Sequence, residues 1–269
     1  MKTVSILGCG WLGLPLAQDL ARARRVYGST TSAEKISAIE AVGVQAFLLH
    51  CDPEVRGSAE NVDNFFKSDI LVITIPFKRG LTDPYFYYRQ IESVGRWAEK
   101  SAVQFVIMTS STSVYPETNK VVGEDDPIVP GDIRGKVLWE SEQILLNNPN
   151  FQTTVVRLAG LYGYDRQPGR FLSGQRAPGH GDAPVNLIHR DDAVGILLEI
   201  LRQDVRGEIF NACSDGHPAR KEFYGKLGTA SPEFDNAGPL KFKVVSNRKV
   251  KERLGYKFKH PQPIAALMR

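Results

Sequence analysis

Six residues near the start of the chain, Gly8-Cys9-Gly10-Trp11-Leu12-Gly13, constrain its fold more than any other stretch. They follow Val4-Ser5-Ile6-Leu7, a short apolar run that reads as a strand. They lead into a segment from about Trp11 to Ala23 with Leu12, Leu16, Ala17 and Leu20 at helical spacing. In a strand–turn–helix of this kind each glycine has its own task. Gly8 permits the tight turn, Gly10 leaves the backbone open to close approach, and Gly13 lets the helix pack on the sheet. The unbonded N–H groups and positive dipole end of the helix then suit phosphates, so the pattern reads as a dinucleotide-binding turn. The bland alternative is a glycine turn with no ligand. Its place at the head of an alternating chain favours the dinucleotide.

That alternation runs through the first half. Strand-like segments fall at Val26-Tyr27-Gly28-Ser29, Ala46-Phe47-Leu48-Leu49, Ile70 to Ile75, Phe105 to Met108 and Thr153 to Val156. Helical segments are expected at Ala33 to Val42, about Tyr88 to Lys100 and about Gly135 to Leu146. Ile70-Leu71-Val72-Ile73-Thr74-Ile75 is almost uniformly apolar, as a strand covered on both faces must be. The pattern predicts an α/β fold, a doubly wound parallel sheet of the Rossmann type. From Tyr164 to Asn186 the chain turns rich in Gly, Pro and Arg. Order returns with a helix over Asp192 to Arg202 and a strand over Glu208 to Asn211. Beyond residue 214, Pro218, Pro232, Pro239 and Pro261 break the chain into short pieces. We therefore expect residues 1–163 with 187–213 to form the nucleotide-binding domain. Residues 164–186 with 214–269 would form a small, interrupted C-terminal substrate lobe.

Composition narrows the class. Of 269 residues, 42% are hydrophobic and the net charge is only +4, which excludes disorder as the dominant state. No apolar run approaches the ~20 residues of a membrane span, and the N-terminus carries no leader-like pattern. Cys9, Cys51 and Cys213 lack metal-like spacing and read as reduced thiols of a cytoplasmic protein. Lys241 to Lys259 holds eight basic residues and one acid. These alternate with the candidate core positions Phe242, Val244, Val245, Val250, Leu254 and Phe258, so a solvated face is favoured over nucleic-acid binding. No nucleic acid or membrane partner is expected. The expected partner is a small-molecule substrate, and the chain a monomer or homodimer.

Cofactor choice is read where the second strand ends. An Asp or Glu there would bind the adenosine ribose and repel a phosphate on it. The chain instead has Ser29-Thr30-Thr31-Ser32, with Lys35 one turn further and Glu34 past the usual position. Thr30, Thr31, Ser32 and Lys35 suit a phosphorylated ribose, so NADP is expected over NAD. Ser32 has a second reading, as a cap on the next helix. Asp52 is placed to accept from the adenine amino group, or is a turn residue ahead of Pro53. Trp11, Leu12, Ile75 and Pro76 complete the expected cofactor contacts.

Five further segments carry a resemblance. They are Thr109-Ser110-Ser111-Thr112-Ser113-Val114-Tyr115, Val156 to Gly163 (Val-Arg-Leu-Ala-Gly-Leu-Tyr-Gly), Ile188-His189-Arg190-Asp191-Asp192-Ala193, Phe210-Asn211-Ala212, and Ser246-Asn247-Arg248-Lys249 with Leu254-Gly255-Tyr256. In this order they resemble the extended short-chain dehydrogenases/reductases, the NAD-dependent epimerase/dehydratase branch, over nearly the whole chain. The resemblance implies that Ser111 is the catalytic hydroxyl. It also implies that Val156 to Gly163 forms the strand and loop beside the nicotinamide.

The chain departs from that family in one respect: no Tyr-x-x-x-Lys occurs anywhere in it. In the family this pair sits on the helix after the serine segment and exchanges a proton with the substrate. One register keeps the lysine as Lys136 and puts Asp132 at the tyrosine position. The other puts Arg134 and Leu138 at the two positions. The first is preferred, because Gly135-Lys136-Val137 follows the small-Lys-aliphatic pattern. Lys136 would then contact the nicotinamide ribose. Tyr115 and His189 are candidate substitutes for the missing proton donor; their bland readings are structural. Tyr162 is expected beside the substrate, and Arg170 and Arg176 could clamp an anionic one. No metal site is expected. The chain thus reads as an atypical NADP-dependent oxidoreductase or epimerase-like enzyme acting on a small polar substrate. The alternative is a catalytically silent NADP-binding module or redox sensor.

Overall fold

Four consecutive buried residues, Val4–Leu7, form the strand β1 from which the sheet grows outward. On one side β1 pairs in parallel with β2 (Val26–Thr30), and β2 with the edge strand β3 (Gln45–Leu48). On the other it pairs in parallel with β4 (Ile70–Ile73), and β4 with β5 (Phe105–Ser111). With β6 (Gln152–Leu158) and β7 (Ile209–Ala212), the seven strands run in the order β7-β6-β5-β4-β1-β2-β3. This is the doubly wound α/β sheet expected from the alternation, its strand order reversing between β1 and β4. The computed structural model describes residues 2–78, 80–166, 179–226 and 233–267.

The helices are α1 (Gly13–Ala21), α2 (Ile36–Glu40), α3 (Ala59–Phe66), α4 (Phe86–Lys100), α5 (Ile133–Leu146), α6 (Arg190–Gln203), α7 (Arg220–Gly225), α8 (Arg248–Leu254) and α9 (Pro263–Leu267). Helix α1 buries Gly13, Leu16, Ala17 and Leu20, the i, i+3, i+4, i+7 face of an amphipathic helix. No described helix is long and apolar enough to cross a membrane.

The chain divides into two compact units. The first comprises Met1–Ser110, Asp132–Val156 and Ile200–Ile209. Its core includes an aromatic chain, Tyr27–Phe47–Phe65–Phe66–Trp97, with successive ring centroids 5.2–5.8 Å apart. Helices α4 and α5 pack against each other. A Cβ on Gly95 of α4 would stand 3.3 Å from Leu145 Cδ2. The second unit comprises Ser111–Gly131, Arg157–Glu199 and Phe210–Arg269. In it two short parallel ribbons form, Gly160–Tyr162 with Leu187–His189 and Val121–Val122 with Val244–Val245. Tyr162, Val185, Leu187 and Phe223 make a small core there, with Tyr224, Ile264 and Leu267 packed against it.

Several boundaries differ from expectation, each for a local reason. The helix expected over Ala33 to Val42 begins as a 3-10 turn, Ala33–Lys35, before α2. Strand β4 stops at Ile73, because Thr74 turns its hydroxyl onto the carbonyls of Leu7 and Gly8. Strand β5 runs on past Met108. Its hydroxyl residues find partners, Thr109 Oγ1 on Ile73 O (2.9 Å) and Ser110 Oγ on Glu142 Oε1 (2.5 Å). In the basic stretch Val245, Val250 and Leu254 are buried, while Phe242, Val244 and Phe258 are half-buried.

Candidate functional site

The carboxyl ends of β1, β2 and β4 converge on the glycine turn, at the place where an open α/β sheet binds ligands. Gly8 has φ +103°, a conformation L side chains rarely adopt. Its N–H donates to Ser29 Oγ (2.9 Å), and the Cys9 N–H donates to Ser29 O (2.8 Å). The Thr74 hydroxyl donates to Gly8 O (2.8 Å). The turn is therefore pinned to both neighbouring strands. A Cβ on Gly13 would stand 2.2 Å from Gly8 O, so only glycine allows α1 this close to the turn. A Cβ on Gly10 would meet nothing within 4 Å. Among the described residues, the absent side chain there faces open space. No side chain caps α1, and its first turn carries no acid. Of its first-turn N–H groups, that of Leu14 is taken by Gly10 O (3.0 Å) and Pro15 has none, so what the turn offers an anion is chiefly the positive dipole end of α1. Leu12 is buried, Trp11, Thr74 and Ile75 are half-buried, and Pro76 is exposed.

After β2, the Thr30 hydroxyl is taken up by the turn itself, accepting from Ser32 N (3.2 Å). Thr31 and Lys35 are exposed. Ser32 stands at the N-cap position of the 3-10 turn but makes no capping hydrogen bond, so the capping reading of its hydroxyl does not hold. Asp52 lies at the exposed tip of a hairpin, His50–Cys51 paired with Val55–Arg56, and its N–H donates to Glu54 O (2.9 Å).

Within the first unit, Asp132 is the N-cap of α5, its Oδ1 accepting from Gly135 N at 2.7 Å. Lys136 is exposed. The Tyr85 hydroxyl and the Glu140 carboxylate beside it hold its ammonium above the usual lysine range. Arg134 sits over the Phe77 ring at 5.6 Å, and Leu138 is buried. Glu142, fully buried, is a polar residue that the sequence reading did not single out.

Within the second unit, Ser111 is half-buried and caps a 3-10 turn, Thr112–Val114. Its Oγ accepts from Ser113 N and donates to Ser113 Oγ, both at 3.1 Å. Tyr115 is only 2% exposed. Its hydroxyl accepts from Arg157 Nη1 (2.7 Å) and donates to Asn211 Oδ1 (3.0 Å). Burial raises the phenol pKa, against the opposing pull of Arg157. The phenol is thus engaged on both sides within this network. Asn211 N in turn donates to Glu124 Oε1 (2.6 Å), whose pKa is raised by burial. Arg157 and Asn211 fall in segments that carry the family resemblance and Glu124 in none, and nothing local marks the three as one network.

Tyr162 and His189 face each other across the ribbon, Tyr162 paired with His189 and the rings edge to face at 5.2 Å. Both are buried, and Ser214 lies beside the Tyr162 hydroxyl. Burial, then the neighbouring His260, lowers the His189 pKa. Its Nδ1 accepts from Asp191 N (3.2 Å). Arg170 and Arg176 lie outside the described residues. All three cysteines are free, and burial pushes each thiol up to about 12.

The chain matches no family model. It is 37% identical over 270 residues to Protein YeeZ of Escherichia coli strain K12, with 98% of each chain covered, and equally to that of strain O157:H7. Among solved structures, a functionally unknown conserved protein from Silicibacter pomeroyi matches with a TM-score of 0.78 at 24% identity, covering 99% of this chain and 97% of that one. MoeE5 in complex with UDP-glucose and NAD matches with a TM-score of 0.77 at 17% identity, covering 99% and 97%. The human epimerase family protein SDR39U1 with NADPH matches with a TM-score of 0.74 at 17% identity, covering 98% and 97%. At these identities the solved structures speak to the fold, and the Escherichia coli relative speaks to the family. The chain belongs to the family of Protein YeeZ, with a fold shared with MoeE5 and the human epimerase family protein SDR39U1.

Proposed function

We propose that this protein binds NADP(H) at the turn between β1 and α1 and acts as an oxidoreductase or epimerase-like enzyme on a small polar substrate. The observation that carries the reading is Gly10. Its absent side chain faces open space beside an uncapped helix N-terminus, where a pyrophosphate would lie. Two fold relatives, MoeE5 and SDR39U1, hold NAD and NADPH, and the former also holds UDP-glucose. The phosphorylated cofactor is favoured because Thr31, Ser32 and Lys35 follow β2 with no carboxylate directly after the strand. Ser111 is the hydroxyl proposed to orient the reacting oxygen, and Lys136 the group proposed to contact the nicotinamide ribose. Trp11, Leu12, Ile75 and Pro76 would line the cofactor, and Asp52 would take the adenine amino group.

The second reading, a catalytically silent NADP-binding module, is favoured by one observation. Asp132, at the tyrosine position of the preferred register, is spent as a helix cap. Its redox-sensing form is disfavoured as far as thiols are concerned, since all three are held protonated by burial. Calorimetric titration with NADPH and NADH tests the cofactor, with NADPH expected to bind more tightly. Thr31→Asp should erase or reverse that preference, and equal affinities in the parent protein would remove the assignment. NADPH consumption over a panel of carbonyl compounds, lost in Ser111→Ala, separates the enzyme from the silent module.

A further inference from the structure

Three residues of the second unit that the proposed chemistry leaves unused converge at one point. They are His189, which ends the ribbon strand, Asp191 in the first turn of α6, and His260 from the segment between α8 and α9. One ligand atom from each lies within 4.8 Å of the others. Asp191 Oδ2 stands 3.7 Å from His189 Nδ1 and 3.5 Å from His260 Nε2. Both separations are too long for a hydrogen bond. They are close to the edge, roughly 3.3–3.4 Å, of a tetrahedron with metal–ligand bonds of about 2.0–2.1 Å. From this geometry we propose that His189, Asp191 and His260 form a binding site for a divalent transition metal of the zinc class, with a fourth position left for water or a ligand oxygen.

A His-x-Asp turn alone does not make such a site, and the protein contains the comparison. His180 and Asp182 repeat the local geometry, with Asp182 N donating to His180 Nδ1 at 3.2 Å and the carboxylate 3.6 Å away. There the carboxylate is paired with Lys221 (2.6 Å) instead of a second imidazole. What distinguishes Asp191 is His260, delivered from far along the chain and fixed in place. Buried Asp192 accepts from Tyr256 Oη (3.0 Å), Lys259 N (2.7 Å) and His260 N (2.9 Å). The backbone that carries His260 is thereby held independently of any metal. The His260 ring lies against His189, centroids 3.8 Å apart, and its buried Nδ1 has no hydrogen-bond partner among the described residues. The nitrogens that face Asp191 are His260 Nε2 and His189 Nδ1, and the latter would exchange its hydrogen bond from Asp191 N (3.2 Å) for the metal. The Tyr164 hydroxyl donates to the Asp191 carboxylate at 3.0 Å, the outer contact that orients a ligating carboxylate. Imidazole, imidazole and carboxylate form a donor set suited to zinc rather than to magnesium or calcium.

The test is calorimetric titration of the full-length, chelator-stripped protein with zinc chloride, repeated with cobalt(II) to read the coordination from its visible absorption. One equivalent should bind, with a four-coordinate cobalt spectrum. Tyr164→Phe should weaken binding by about 10–100-fold. His260→Ala should weaken it by more, while His180→Ala leaves it unchanged. Asp191→Asn, which keeps the side-chain size, gives the same reading should His260→Ala fail to fold. A melting temperature raised by zinc in the parent protein, and not in Asp191→Asn, would support the site without reference to activity. Absence of one-equivalent binding, or binding that survives both His260→Ala and Asp191→Asn, would overturn it.

Discussion

Arg157 is 2% exposed, and its buried guanidinium is tolerable only because it is satisfied. It stacks 5.0 Å from the centroid of the Tyr115 ring and donates to the Tyr115 hydroxyl, which passes a hydrogen bond on to Asn211. Removing that one oxygen leaves a buried donor and a buried acceptor each short of a partner. Tyr115→Phe should therefore lower stability by about 1–3 kcal/mol in urea denaturation, with NADPH affinity unchanged. A variant as stable as the parent would mean that the hydroxyl is free, and would return Tyr115 to the catalytic candidates. The thiols make a second prediction at this scale. Folded, each keeps its proton up to about 12, whereas the reference thiol value is 9.0. Below pH 9 the thiols are protonated in both states. Between about 9 and 12 only the unfolded chain ionises, so their contribution to stability falls as pH rises through that window. Thiol-reactive dye should label the native protein slowly at pH 8 and all three thiols in denaturant. Rapid native labelling of Cys9 and Cys213 would contradict their burial.

At the scale of elements, α5 decides how the missing tyrosine is interpreted. Asp132 precedes the helix with extended backbone, φ −148°, and turns its carboxylate back onto Gly135 N. Asp132→Tyr removes that cap and should cost about 1 kcal/mol. Arg134→Tyr keeps the cap while giving up the contact of the guanidinium with Phe77. Under the preferred register, Asp132→Tyr should gain NADPH turnover on carbonyl compounds, since a positioned proton donor contributes about 10²–10⁴-fold. Turnover gained by Arg134→Tyr alone would establish the other register.

The elements also divide by how visible they are in sequence. Strand β4 shows as an unbroken apolar run, β1 as one broken only by Ser5, and α1 as a periodic stripe, because burial on both faces or on one face leaves a local mark. Helix α3 was not foreseen. Its buried face is only Val62, Phe65 and Phe66, and its start is marked by one capping serine, Ser58, accepting from Asn61 N. The two-residue ribbon Val121–Val122 with Val244–Val245 carries no local signal at all, since each half is defined by a partner far along the chain. The same holds for sites. The glycine turn is contiguous and legible, but the approach of His260 to His189 arises from tertiary packing that no spacing rule reaches.

At the scale of the whole molecule, the net charge of +4 conceals a basic stretch near the C-terminus. Several of its cations are engaged within their own unit. Lys251 pairs with Asp215 (2.6 Å), Lys243 Nζ donates to Tyr115 O (2.5 Å), and Lys249 lies over Phe210 (5.1 Å). The anion-binding capacity that matters to the proposed function lies at the opposite end of the chain, where α1 meets the glycine turn. Gly10 isolates that claim from folding, because a side chain there meets no protein atom within 4 Å of its Cβ. The direct measurement is calorimetric titration of NADPH into the parent protein and into Gly10→Val, with thermal unfolding of both as the control. Parallel melting curves with NADPH binding abolished or weakened at least ~10-fold, about 1.4 kcal/mol, are the expected result. Unchanged NADPH affinity in a folded Gly10→Val protein would contradict the account.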